Sequence, residues 1–299
     1  MVGRSDRAGR RLDRSDSGGR GRDRQEGRPR AGGIRELPPG WNGKHACFAL
    51  SKLARYPLLC FLDADVRLTP DALARLLAFR ARNGAALVSG FPRQETGTLL
   101  EKLLIPLINW LLVGYLPMPG MRFSRWAAFG AGCGQWFLTD RDSYATVGGH
   151  AAVKSSRHDG LTLPRAYRRE GFHTDVCDAS RVAACRMYRD AAGVWFGLSK
   201  NAREGMATAS QLPVWTVLLA GGHVLPWLVA PVEPLAWVAV GLSVGLRLAT
   251  AVWFRASLVG AVLHPVGVIL LLALQWTAAL GRPVGWKGRP AVASHSDVA

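Results

Sequence analysis

Tyr56-Pro-Leu-Leu-Cys-Phe-Leu-Asp-Ala-Asp-Val66 decides the fold class. The apolar run through Leu62 is too short for a helix and has no polar alternation, so it predicts a strand buried on both faces. It stops at Asp63-Ala-Asp65. Thr69-Pro-Asp-Ala72 then predicts a helix start, with Thr69 as N-cap and Pro70 in the first helical position. Helical spacing continues through Leu73, Leu76, Leu77 and Arg80, and Ala85-Ala-Leu-Val-Ser89 predicts a second buried strand. Strand, helix and strand in that order imply an α/β domain with a parallel-rich sheet and a crossover connection.

Working outward, residues 1–36 hold eleven Arg, six Asp or Glu and eight Gly. With almost no large apolar residues, such a segment cannot offset its ordering entropy and is expected to be a disordered Arg/Gly-rich tail. It has no apolar central run and so does not read as a secretory signal. The catalytic-type α/β pattern is expected over 37–210, with membrane helices over 211–282 and a tail over 283–299. The chain is 49% hydrophobic and 20% charged, with a net charge of +17. That mixture suits a soluble part joined to a membrane part. The basic excess fits an anionic membrane face, and no zinc-finger, recognition-helix or aromatic RNA-binding pattern is present, so no nucleic-acid partner is expected. Cys47, Cys60, Cys133, Cys177 and Cys185 show no metal-ligand pairing and read as small buried thiols.

Thr98 to Met118 carries a wide apolar stripe broken by Pro106, with charges at one end and aromatics at the other. A helix lying in a membrane interface is the expectation, with a buried core helix as the alternative. Three apolar stretches follow, at about 212–230, 234–254 and 257–280, each near the ~20 residues that span a bilayer. Arg247 and Arg255 flank the second connection and the first has no positive charge. A multi-pass protein with a cytoplasmic α/β domain is therefore expected.

Asp63 and Asp65 close a predicted buried strand, where open α/β sheets bind ligands. At i and i+2 on an irregular strand end, both carboxylates can reach one hard cation, Mg2+ or Mn2+, whose shell substrate phosphates complete. Turn and capping roles for the two carboxylates are the plainer alternative.

Three motifs in the same order carry a resemblance. Leu37-Pro-Pro-Gly-Trp-Asn-Gly-Lys44, Phe61-Leu-Asp-Ala-Asp-Val66 and Thr69-Pro-Asp-Ala-Leu73 resemble the central block of family 2 glycosyltransferases. Within that family the chain is most similar to membrane-associated bacterial enzymes of the carotenoid and lipid type, over about residues 37 to 290. The resemblance implies a nucleotide-sugar-binding, glycosyltransferase A-type fold followed by C-terminal transmembrane helices. It implies that Asp63 and Asp65 hold the metal and the donor diphosphate. Lys44, beside Trp41, matches a lysine near the donor site. It is read either as a point charge for phosphate or as a solvated loop residue.

The same resemblance makes Asp159 the general base on an acceptor hydroxyl, with helix capping as its plainer role. His158 stands where relatives carry an acidic residue, and is either a neighbour that tunes Asp159 or a surface histidine. Gly130-Ala-Gly-Cys-Gly-Gln135 resembles the acceptor-side segment, which makes Gly134 and Gln135 substrate-binding candidates. Arg186 lies where processive relatives carry a Gln-x-x-Arg-Trp element that is not reproduced here, and it is a candidate for the diphosphate. Trp286-Lys-Gly-Arg289 also matches the family, with no assignable role. The expected activity is inverting, metal-dependent transfer of a sugar from a nucleotide-sugar donor to a lipid-like or other hydroxyl acceptor at a membrane. The family's base-binding first strand and acidic loop have no counterpart upstream, where the Arg/Gly-rich tail stands. A catalytically dead membrane-protein remnant, or a membrane protein with a nucleic-acid-binding tail, are the rival readings.

Overall fold

The computed structural model describes residues 38–41, 44–116 and 118–281. The tails at 1–36 and 283–299, with Trp286 and Arg289, lie outside them. The order begins α1 (His45–Leu53), β1 (Leu58–Leu62), β2 (Val66–Leu68), α2 (Ala72–Asn83), β3 (Leu87–Phe91) and β4 (Arg93–Gln94). It continues with α3 (Leu99–Tyr115), α4 (Met118–Phe123), β5 (Trp136–Asp140), α5 (Arg141–Thr146), α6 (Asp159–Arg169), β6 (Thr174–Asp178), β7 (Ala183–Cys185) and α7 (Ala191–Ala202). The remaining helices are α8 (Gln211–His223), α9 (Leu225–Val229), α10 (Ala236–Trp253), α11 (Val259–Val262) and α12 (His264–Leu280).

The mixed α/β class holds, but the sheet is not parallel-rich. Its order is β1-β5-β3-β6. β5 runs antiparallel to both β1 and β3, and only β3 and β6 pair in parallel. β1 and β3 therefore share a direction, as the α2 crossover requires, yet a strand from much later in the chain lies between them. A second sheet, β2-β7-β4, likewise has one antiparallel and one parallel pair. Alternation along β5 sends Trp136 and Leu138 to one face, against α2, and Phe137 to the other, with Leu163 and Tyr167 of α6.

β1 departs from its expectation. Only Leu59 and Phe61 are buried, while Leu58, Cys60 and Leu62 are exposed. Among the described residues β1 pairs with β5 alone, so it is an edge strand with one covered face. α2 starts at Ala72 with Asp71 as N-cap, two residues later than Thr69 had implied.

α3 is a core helix, not an interfacial one. It runs unbroken through Pro106 and buries Leu104, Ile105, Leu107 and Trp110 against α7, α8 and α12. Its start is fixed by a capping box in which Thr98 and Glu101 bond each other's backbone N–H groups.

The three-span reading also changes. The first stretch breaks at Val224 into α8 and α9. The third becomes α11 and a 17-residue α12, which packs into the α3 cluster. Of the described helices only α10, with 18 residues, is long and apolar enough to cross a bilayer; at 1.5 Å per residue it is ~27 Å long.

Between these helices lies a polar seam. Tyr115 bonds His223 (2.9 Å), and His223 bonds Ser243 (2.6 Å). Arg247 is fully buried and donates to the Pro106 carbonyl (3.1 Å), while its Nε and Nη2 have no hydrogen-bond partner among the described residues. A buried guanidinium without a carboxylate loses its hydration with little return. Arg247→Met, which keeps length and removes charge, is expected to stabilise the fold by about 1–3 kcal/mol. The check is the thermal-unfolding midpoint in detergent, which should rise.

Candidate functional site

Four segments meet at the carboxyl end of β1 because β5 starts beside the point where β1 stops. The Asp63 N–H donates to the Gln135 carbonyl (2.9 Å), which pins the strand-end loop to the glycine-rich segment. Lys44, at the N-cap of α1, takes a left-handed backbone (φ +54°) that non-glycine residues rarely adopt. Asp159 is the first residue of α6, whose N-cap is His158.

Lys44 joins the carboxylates. Its Nζ lies 2.7 Å from Asp63 Oδ1 and 3.5 Å from Asp159 Oδ2, and donates to the Gly134 carbonyl at 3.3 Å. Burial disfavours the ammonium, but Asp159 and Asp63 outweigh it and hold the Lys44 pKa above the ordinary lysine value. Burial raises the pKa of Asp63, against the pull of Lys44. Asp159 is the first helical residue and not the N-cap, which is His158 and makes no side-chain capping bond. A Cβ on Gly134 would come within 2.4 Å of Asp159 Oδ1, so glycine there is what lets the carboxylate pack against the backbone.

Asp65 is exposed and lies near enough to Asp63 to raise its pKa further. Its carboxylate faces Cys185 and Tyr188, and burial with the Asp65 charge pushes each of their pKa values up to about 12. Among the described residues no group of three or more potential ligands gathers in metal-binding geometry. Asp63 is held to Lys44 at 2.7 Å and Asp65 is exposed, so the strand end offers two carboxylates as donors to a cation whose remaining ligands would come from elsewhere.

The other candidates are placed as follows. Trp41 packs on His45 (4.8 Å between ring centroids) and Phe48 (5.4 Å), at the entry to α1. The Gln135 side chain is buried, accepting from Gln94 (2.8 Å) and donating to Cys185 Sγ (3.0 Å), so it joins the two sheets under the site. The His158 N–H donates to Ser156 Oγ (3.0 Å) and Glu204 (3.2 Å), and burial lowers its pKa.

Arg186 pairs with a carboxylate outside the Lys44 cluster. Its Nε lies 3.2 Å from Glu101, a carboxylate that is 1% exposed. Burial would raise the Glu101 pKa, but Arg186 and the N–H groups of Gly97 and Thr98 bring it down to about 2. Arg186 thereby ties the end of β7 to the start of α3.

Sequence reasoning missed three contributors. Glu204 accepts the N–H groups of Arg157 (2.8 Å) and His158, and bonds Ser156, holding the loop that precedes Asp159. Lys200 on α7 lies where Asp159 acts on its charge. His150 is 1% exposed, with Nε2 3.9 Å from Asp159 Oδ2. Glu204 and Lys200 had no local signal. His150 did have one in Gly148-Gly149, two consecutive left-handed glycines (φ +79° and +56°).

Comparison with protein families places this α/β domain in the glycosyltransferase class. The chain belongs to glycosyl transferase family 21, whose model matches residues 34–290. The resemblance to glycosyltransferases thus holds, while the family 2 and carotenoid-type assignments give way to family 21. No match was found among curated proteins.

Proposed function

We propose that this chain transfers a sugar from a nucleotide-sugar donor to a hydroxyl acceptor, with inversion at the anomeric carbon. The observation that carries this reading is the Lys44 bridge, which gathers carboxylates from two separate loops at the end of β1. In the reaction the bond between the anomeric carbon and the diphosphate oxygen breaks, and its electron pair leaves with the nucleotide diphosphate. The acceptor oxygen bonds to that carbon from the opposite face, and its proton passes to Asp159. Asp63 and Asp65 would hold Mg2+ or Mn2+, which supplies neutralising charge to the departing diphosphate. Lys44 adds a point charge on the same side.

Support for a lipid-like acceptor comes from α10. Trp237, Leu242, Val252 and Trp253 are 54–71% exposed on it, an apolar surface that suits lipid better than water. On this reading the protein sits at the cell membrane with its α/β domain on the cytoplasmic side.

One observation favours the rival, a chain that binds no donor: the outer face of β1, with Leu58 and Leu62 about two-fifths exposed, has no covering layer among the described residues. Calorimetry separates the two. The intact chain is expected to bind UDP-hexose in the presence of Mn2+, and Asp63→Ala to weaken that binding by at least ~10-fold, about 1.4 kcal/mol. No binding by the intact chain would establish the rival.

A further inference from the structure

We propose that His150 is a positioning residue for Asp159, presenting Nε2–H to Oδ2 at the end of a hydrogen-bond chain that begins at Tyr144. This inference rests on Asp159 being the base, as proposed above. Asp159 Oδ2 is buried and has no hydrogen-bond partner among the described residues. Two groups face it, Lys44 Nζ at 3.5 Å and His150 Nε2 at 3.9 Å. Neither distance is a hydrogen bond, and catalytic contacts of this kind commonly tighten only once substrate is bound.

The proton on the imidazole can be placed. The His150 backbone N–H donates to Tyr144 Oη at 3.0 Å, and that same oxygen lies 2.8 Å from His150 Nδ1. The phenol keeps its O–H free to donate to Nδ1 while its oxygen accepts the backbone N–H. A neutral imidazole then carries its own hydrogen on Nε2. The other tautomer would turn a lone pair towards a carboxylate oxygen, which is repulsive. Both arguments select Nε2–H.

Neutrality is also built in. Burial, with Lys44 nearby, pushes the His150 pKa down to about 4 against the attraction of Asp159. At pH 7 the ring can therefore orient the carboxylate without adding a second cation beside Lys44.

The ring itself is locked. Phe61 packs edge-on to it at 4.9 Å, and Tyr144 lies 5.7 Å away, centroid to centroid. Tyr144 reaches this place because Gly149 has no side chain: a Cβ there would meet the phenol ring at 2.3 Å. Oδ2 thus faces the two cationic or donor groups of the protein interior, while Oδ1 lies on the Gly134 side. The arrangement parallels the general case of a base oriented by a further group behind it.

Four variants and one spectrum test the chain. His150→Gln keeps an amide donor near the Nε2 position, His150→Asn keeps only the Tyr144 partner, and His150→Phe keeps neither. Sugar transfer is followed with UDP-hexose, Mn2+ and a detergent-dispersed long-chain alcohol, with Asp159→Asn alongside. His150→Asn and His150→Phe are expected to lose about 10–100-fold in kcat, the usual scale for a group that orients a functional ligand. KM for the donor should stay near wild type, and His150→Gln should recover most of kcat. If all three His150 variants turn over normally while Asp159→Asn is dead, the inference fails and the base assignment stands. If Asp159→Asn is as active as wild type, the base assignment fails and the inference with it; if the wild type does not turn over, the enzyme reading fails first. The 15N spectrum of the His150 imidazole in the intact wild-type chain then decides separately: Nε2–H is expected, and Nδ1–H would overturn the hydrogen-bond chain whatever the activity.

Discussion

Asp159→Asn lowers kcat for sugar transfer by about 10^2–10^4-fold, the range that a positioned general base contributes. The amide has nearly the shape of the carboxylate, so the contact with Gly134 survives and the fold should be unchanged. What is lost is the ability to take the acceptor's proton as its oxygen attacks. Donor affinity should move little, because Asp63 and Asp65 lie on a different loop. Separate measurement of kcat and of donor binding by calorimetry checks this. A parallel fall in both would mean that Asp159 holds the donor instead.

Lys44→Met should have the second-largest effect, and it should act on stability and pH dependence together. Removing the ammonium leaves Asp63 and Asp159 facing each other without compensation. Breaking a buried pair costs about 3–5 kcal/mol, but the Asp63 side chain is 39% exposed and Lys44 28%, so solvent screening brings the expectation to about 1–2 kcal/mol. The acid limb of the pH–rate profile should move to higher pH, because the Lys44 charge that favours ionised Asp63 is gone. In the wild type the sign is set by the raised pKa of Lys44. Its contribution is fully present below the ordinary lysine value and is lost as pH rises through the higher folded value, so the stability difference between wild type and Lys44→Met should narrow only in strong alkali. Denaturant unfolding from pH 6 to 10 should therefore show a constant difference between the two chains. An unchanged rate profile would show that Lys44 is an ordinary loop residue.

Much of the site was legible because its signals are local. An apolar run that stops at two aspartates marks a strand end wherever the rest of the chain goes. The helix that opens at Asp159 and the glycine at 134 likewise stand in motifs a few residues long. Arg186 illustrates the limit. Its position in sequence suggested a phosphate partner, and nothing local announced the ion pair it makes with Glu101, 85 residues away. His150 was overlooked for a related reason: Gly148-Gly149 marked a turn, but nothing local showed which buried atoms the histidine after it would face.

By itself the sequence determined the α/β class, the helical C-terminal third and the carboxylates at the end of β1. Those follow from side-chain periodicity and from backbone preferences that act within one or two turns. Only the tertiary structure decided that β5 separates β1 from β3, that α3 is core, and that the apolar stretches resolve into one helix of spanning length and several shorter packed ones. Each of those outcomes depends on which distant surface covers an apolar face or satisfies a buried charge, and that competition is settled only when the whole chain has packed.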